Sequence, residues 1–165
     1  MNRMARFLFN TEMPLWRYIL VLLPLIMIPA MAMINAVRFG LEFAGVDLTR
    51  FSPPPVSSSA TGAFGSIIFA PFIETYLLAV LITILSSFIP NRIHVVVVSG
   101  LMWGAFHAVF GLLWFFGAAW AFFMFSCAFI AWRQKSFKHA YFAAFVPHVL
   151  NNAIVILASP LIKHA

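Results

Sequence analysis

Four polar side chains of the kinds that carry hydrolytic chemistry lie inside apolar runs of this chain: Glu74, His107, His148 and Asn152. Glu74 is the only acidic residue in any of these runs, and it lies near the middle of the one that extends from Gly62 to Phe88. Placing a carboxylate at that depth in hydrocarbon is costly, so such residues usually mark a functional site. We therefore predict that Glu74 belongs to one.

The spacing of the other polar residues brings them to the same interior. His148 and Asn152 are four residues apart and share one helix face, as do Trp103 and His107. Three predicted helices can therefore point polar groups into one pocket. A carboxylate, two imidazoles and an amide supply a base for water, a group that orients the water, and donors for an oxyanion. This set predicts hydrolysis without a bound cofactor.

Other chemistries fit the residues less well. The only aspartate, Asp47, lies in a predicted loop, no H-E-x-x-H motif occurs, and Ser99 has no evident histidine partner. A glutamate and two histidines could instead bind a divalent cation, so a metal-dependent membrane hydrolase remains an alternative. Any one of these polar residues alone could also be an interhelical hydrogen-bond partner, worth about 0.6 to 2 kcal/mol.

The composition identifies the elements that position these residues. The chain has 165 residues, of which 64% are hydrophobic and 8% charged, and its mean hydropathy is +1.01. These values indicate an integral membrane protein with one transmembrane domain over 1–165 and no room for a soluble catalytic domain. We predict an all-α polytopic helix bundle with about five transmembrane helices, at about 18–38, 63–88, 93–112, 114–132 and 141–162.

The division near Gly111 to Gly117 is the least defined, and a sixth helix or one re-entrant segment is the alternative there. Counting basic residues places the N-terminus in the cytoplasm, because the flanks that would face inward contain Arg3, Arg6, Arg17, Arg92, Arg133, Lys135 and Lys138. The opposite side receives a Pro/Ser-rich loop at about 40–62, which predicts an extended linker.

The net charge of +6 is accounted for by this topology, so no nucleic-acid partner is expected. The expected partners are the lipid bilayer and a membrane-associated peptide or protein substrate. Small size and the absence of an organellar targeting pattern favour a bacterial inner membrane.

The polar residues resemble the CPBP family, the CAAX-protease and bacteriocin-processing group of glutamic intramembrane proteases. That family has three motifs on separate helices: E-E-x-x-x-R, often preceded by a proline, F-x-x-x-H, and H-x-x-x-N. The matching segments here are Pro71-FIETYLLA, Trp103-GAFH and His148-VLNN. The likeness covers about 65 to 152, which includes all the motifs. Three positions depart from the pattern, with Thr75 for the second glutamate, Ala79 for the arginine and Trp103 for the phenylalanine.

The resemblance implies that Glu74 is the general base on water, assisted by His107, and that His148 and Asn152 are oxyanion donors. It implies a glutamic-type intramembrane endopeptidase without a cofactor. Prenylated CAAX tails, peptide or bacteriocin precursors and C-terminal sorting segments are all open as substrates. The departures at Thr75 and Ala79 leave a second interpretation, a non-catalytic protein of the same fold that acts as an immunity factor or assembly partner.

Overall fold

The computed structural model describes residues 7–48, 51 and 59–162 of the chain. Its long helices are α1 (Leu15–Phe43), α2 (Ala60–Phe88), α3 (Arg92–Ala108), α4 (Leu112–Arg133) and α5 (Phe137–Ile162). No strand occurs in these ranges, which confirms the predicted all-α helix bundle. Helix α2 contains one π-helical turn, at Gly65–Phe69. Residues 49, 50 and 52–58 of the predicted Pro/Ser linker, together with Arg3, Arg6 and Lys163, lie outside the described residues. The linker predicted at about 40–62 is shorter than expected, because α1 continues to Phe43 and α2 begins at Ala60.

Among the described helices, α1, α2, α4 and α5 are long and apolar enough to cross a membrane. The fifth, α3, has 17 residues, which at about 1.5 Å per residue spans about 25 Å. The expected division near Gly111 is a tight turn at 109–111 between α3 and α4. The predicted third span therefore ends at Ala108 instead of residue 112.

Helices α3 and α4 pack closely because two glycines line their contact. A Cβ atom added to Gly100 would lie 2.7 Å from the carbonyl oxygen of Ala119, and one added to Gly104 would lie 2.7 Å from the Ala119 Cβ. A small-x-x-x-small spacing of this kind allows helix backbones to approach each other in a membrane. The hydroxyls of Ser99 and Ser126 also form a buried hydrogen bond of 2.9 Å across this contact.

A hydrogen bond between α1 and α4 depends on a proline in α1. Pro29 lies inside α1 and has no N–H, so the carbonyl of Leu25, four residues earlier, lacks its usual helical donor. The indole Nε1 of Trp120 donates to that carbonyl at 2.9 Å. A helix proline therefore creates the acceptor that a neighbouring helix uses.

The antiparallel order of the helices gathers basic residues at one end of the bundle, which we call the basic end. The described ones there are Arg17, Arg92, Arg133, Lys135 and Lys138. Tyr18 near the start of α1 packs edge-on against Trp132 near the end of α4, with ring centroids 5.5 Å apart. The predicted grouping of these charges is therefore found in the fold, and its cytoplasmic orientation stays a prediction.

Candidate functional site

Glu74 lies at the middle of α2, about 21 Å from either end at about 1.5 Å per residue. This agrees with the depth that the sequence predicts. Its side chain is 21% exposed, so the carboxylate is largely enclosed by protein and still reachable. The α2 face that carries Glu74 is therefore directed toward the neighbouring helices.

His148 meets Glu74 across the contact between α5 and α2. Its Nε2 lies 3.4 Å from Oε2 of Glu74, and its side chain is only 5% exposed. The distance is long for a direct hydrogen bond. The imidazole is held in place by stacking on Phe125, with ring centroids 4.6 Å apart. Its Nδ1 is buried and has no hydrogen-bond partner among the described residues.

The depth of His148 corrects one sequence expectation. A span that starts at residue 141 places His148 about 10 Å from the basic side, shallower than Glu74. In the structure α5 begins at Phe137 and continues through Pro147, so His148 lies about 16 Å from that end. The Ser136 hydroxyl accepts from the backbone N–H of His139, which fixes this earlier start.

His107 lies in the last turn of α3 and is held in one tautomer. Its Nδ1 is 2.9 Å from the backbone carbonyl oxygen of Trp103. A carbonyl only accepts, so Nδ1 carries the hydrogen and Nε2 carries the lone pair. The free Nε2 can therefore act as a base or accept from water.

Phe122 of α4 lies between the two histidines. Its ring centroid is 5.4 Å from that of His107 and 5.2 Å from that of His148. Trp103 stacks on the same ring at 4.3 Å, so an indole adds to the aromatic wall beside the two histidines. The two imidazoles thus contact the same phenylalanine ring, and no hydrogen bond joins them.

Asn152 is attached to α2 through the π-helical turn. Within that turn the N–H of Ala70 donates to the carbonyl of Gly65, five residues earlier. The next donor in this register would be residue 71, which is proline and has no N–H. The Ser66 carbonyl is therefore left without a backbone donor, and Nδ2 of Asn152 donates to it at 2.9 Å.

The structure therefore brings the predicted residues together to different degrees. Glu74 and His148 are in contact, His107 is one aromatic ring away from His148, and Asn152 reaches α2 at Ser66, two turns before Glu74. An amide nitrogen has two N–H groups, so Asn152 keeps one donor beyond the bond to Ser66.

The two departures in the first motif lie on the buried side of α2. Thr75 is 1% exposed and Ala79 is 3% exposed, next to Leu78 and Ile82 in the core. An arginine at position 79 would need a buried anionic partner, and position 75 offers only the hydroxyl of a threonine. Small neutral side chains at positions 75 and 79 therefore fit this apolar core, because neither leaves a charge without a partner.

Three parts of the site are not evident from the motif residues alone. Phe122 has no distinguishing signal in an aromatic-rich helix, and the Ser66 carbonyl is a backbone atom. Pro71 gives a usable signal, because a proline inside a helical run always leaves one carbonyl without its donor. No group of three or more His, Cys, Asp or Glu side chains able to hold a metal ion occurs in the part of the chain that the structure describes.

Comparisons with known proteins identify no relative: no protein-family profile, curated protein or solved structure matches the chain.

Proposed function

We propose that this protein is an intramembrane endopeptidase of the CPBP type, which hydrolyses a peptide bond at or within the membrane. The observation that carries the proposal is the pairing of Glu74 with His148 at 3.4 Å between two membrane-spanning helices, with a third-helix histidine one ring away. Buried ionisable groups that meet across helices are costly in a membrane and are rarely retained without a use.

In the proposed reaction Glu74 takes a proton from water, and the resulting hydroxide attacks the carbonyl carbon of the scissile bond. The lone pair on Nε2 of His107 helps to orient the water, since its Nδ1–H is already bound to the Trp103 carbonyl. The proton on Glu74 is held beside Nε2 of His148 until it passes to the leaving amine.

The tetrahedral oxygen carries negative charge and needs donors that are already in place. Two groups support this role: the imidazole of His148, whose Nε2 side faces Glu74, and the second N–H of Asn152. The bond from Asn152 to Ser66 fixes the orientation of the amide, so little reorganisation is required when the oxyanion forms. No cofactor takes part in this proposal.

The proposed substrate is a membrane-associated peptide or protein, and the proposed location is a bacterial inner membrane. A test is to reconstitute the protein in inner-membrane vesicles and to identify new peptide termini by mass spectrometry. Glu74→Gln has nearly the same shape and cannot act as a base, so we expect new termini to fall by about 100-fold or more. Glu12→Gln, at an exposed glutamate outside the helices, is the matched control and should cleave like the wild type.

Equal cleavage by the wild type and Glu74→Gln, with both proteins folded, would refute the glutamate mechanism. Absence of cleavage by both would favour the second candidate, a non-catalytic protein that acts as an immunity factor or assembly partner. The burial of Thr75 and Ala79 in an apolar core is the observation that favours that candidate, because the charged part of the first motif is missing. In that case Glu74→Gln would change only stability.

A further inference from the structure

A cavity of about 510 Å³ opens at the basic end, where α2 ends, α3 begins and α4 ends. Its size is within the range of small-molecule sites. Its inner wall is apolar and includes Ile82 and Phe129, whereas its mouth includes Ser86, Arg92, Arg133 and Gln134. The cavity is separate from the Glu74 site, because Ile82, the lining residue of α2 nearest to Glu74, is eight residues and therefore about 12 Å from it along the helix.

The two arginines of this cavity have no acidic partner among the described residues. The chain has only four acidic residues, and none of them lines the cavity. Glu42 pairs with Arg38 at 3.0 Å and Glu74 with His148, so both are occupied elsewhere. Arg133 also lies over the ring of Phe137, 5.6 Å from its centroid, which orients the guanidinium without neutralising it. The mouth of the cavity therefore carries two uncompensated positive charges.

The position of the arginines matches the depth of lipid headgroups. Arg92 is the first residue of α3 and Arg133 is the last residue of α4, so both lie where apolar spans end. Phe88, the last residue of α2 at the same end of the bundle, is 80% exposed. A cavity with an apolar floor and a cationic rim fits an amphiphile whose anionic group lies at the membrane surface.

Guanidinium groups are well suited to this ligand, because their planar N–H donors bind two phosphate oxygens at once. The Ser86 hydroxyl and the Gln134 amide at the same mouth can donate to glycerol or phosphate oxygens. We propose that this cavity binds the phosphodiester headgroup of an anionic phospholipid, such as phosphatidylglycerol, through Arg92 and Arg133. The proposal is independent of the proposed peptidase function.

The test is binding of dihexanoyl-phosphatidylglycerol to the full chain in neutral detergent, measured by titration calorimetry. Dihexanoyl-phosphatidylcholine and inorganic phosphate are the comparison ligands. We expect phosphatidylglycerol to bind more tightly than either, and Arg92→Gln or Arg133→Gln to raise the Kd by about fivefold each. The double variant should raise it by about 25-fold on the same basis. Lys138→Gln removes a charge at the same end but outside the cavity, and should leave the Kd unchanged.

Three outcomes would overturn the proposal. If phosphatidylcholine binds as tightly, the arginine charges do not select the ligand. If inorganic phosphate binds as tightly, the site is for free phosphate and not for a lipid. If both Arg→Gln variants bind like Lys138→Gln, the cavity is not the site. Arg92→Lys and Arg133→Lys provide a check on folding, since they keep the charge and should weaken binding less than the glutamine variants.

Discussion

The hydrogen bond between Asn152 and Ser66 gives a sharp quantitative prediction, because the structure attributes it to the missing N–H of Pro71. Asn152→Ala would leave the Ser66 carbonyl without a donor in a partly buried position. Interhelical hydrogen bonds in membrane proteins contribute about 0.6 kcal/mol on average and up to about 1.7. At 2.9 Å the bond has good geometry, so we expect a loss of about 1 kcal/mol of unfolding free energy.

The decisive comparison is the same substitution in a Pro71→Ala background. The new backbone N–H at position 71 can donate to the Ser66 carbonyl in the π-helical register, so Asn152 is no longer its only donor. We expect Asn152→Ala to cost only a few tenths of a kcal/mol there, which is a coupling of about 0.5 kcal/mol or more. The assay is unfolding in mixed micelles titrated with SDS and followed by circular dichroism.

Asn151→Ala is the matched control, because its side chain donates only to the neighbouring amide oxygen of Asn152, at 3.2 Å. It should cost clearly less than Asn152→Ala. Equal losses from Asn152→Ala with and without Pro71 would refute the proposed link between the proline and the amide. A loss of activity in Asn152→Ala without a loss of stability would instead assign the residue to oxyanion binding alone.

Two further substitutions test the packing around the site, both by the same unfolding assay. Gly104→Ala places a Cβ 2.7 Å from that of Ala119 and should lower the unfolding free energy by about 1 to 3 kcal/mol. Gly40→Ala is the control, because an added Cβ there has nothing within 4 Å and should not destabilise the protein. Equal effects would contradict the close packing of α3 on α4. Ala79→Arg buries an unpaired charge and should lower the unfolding free energy by several kcal/mol. Adding Thr75→Glu, one turn earlier, should recover part of that loss. No recovery would show that the core cannot hold a glutamate–arginine pair at these two positions.

The helices could be predicted because backbone polar groups in a membrane must be satisfied within each segment, so a long apolar run indicates a spanning helix. The boundaries were harder to predict. Residues 93–132 are apolar almost throughout, and hydropathy therefore carries no signal for the turn at 109–111. The start of α5 did have a signal, the capping hydroxyl of Ser136, which lies ahead of the apolar run and is missed by hydropathy alone.

The candidate site could likewise be predicted only in part. The spacing of His148 and Asn152 predicts that both lie on one helix face. In the structure His148 meets Glu74, and His107 contacts the same phenylalanine ring as His148. To predict that His148 pairs with Glu74, the depth of His148 must be known, and that depth depends on the residue at which α5 begins. The partner of Asn152 could not be predicted from side chains, because it is a backbone carbonyl released by a local change of helical register.

The same kind of hydrogen bond joins α1 to α4 and α2 to α5: a side chain donates to a backbone carbonyl that a proline has left without its donor. Pro29 releases the Leu25 carbonyl of α1 for Trp120 of α4, and the π-helical turn before Pro71 releases the Ser66 carbonyl of α2 for an amide of α5. Without water in the bilayer, a released carbonyl has few alternative donors, so each bond specifies one register between two helices. The helix α4 that Trp120 fixes carries Phe122, which contacts both histidines, and the helix α5 that Asn152 fixes carries His148. Pro71 therefore helps to fix the helix of His148 relative to that of Glu74, and Pro29 helps to fix the helix of Phe122.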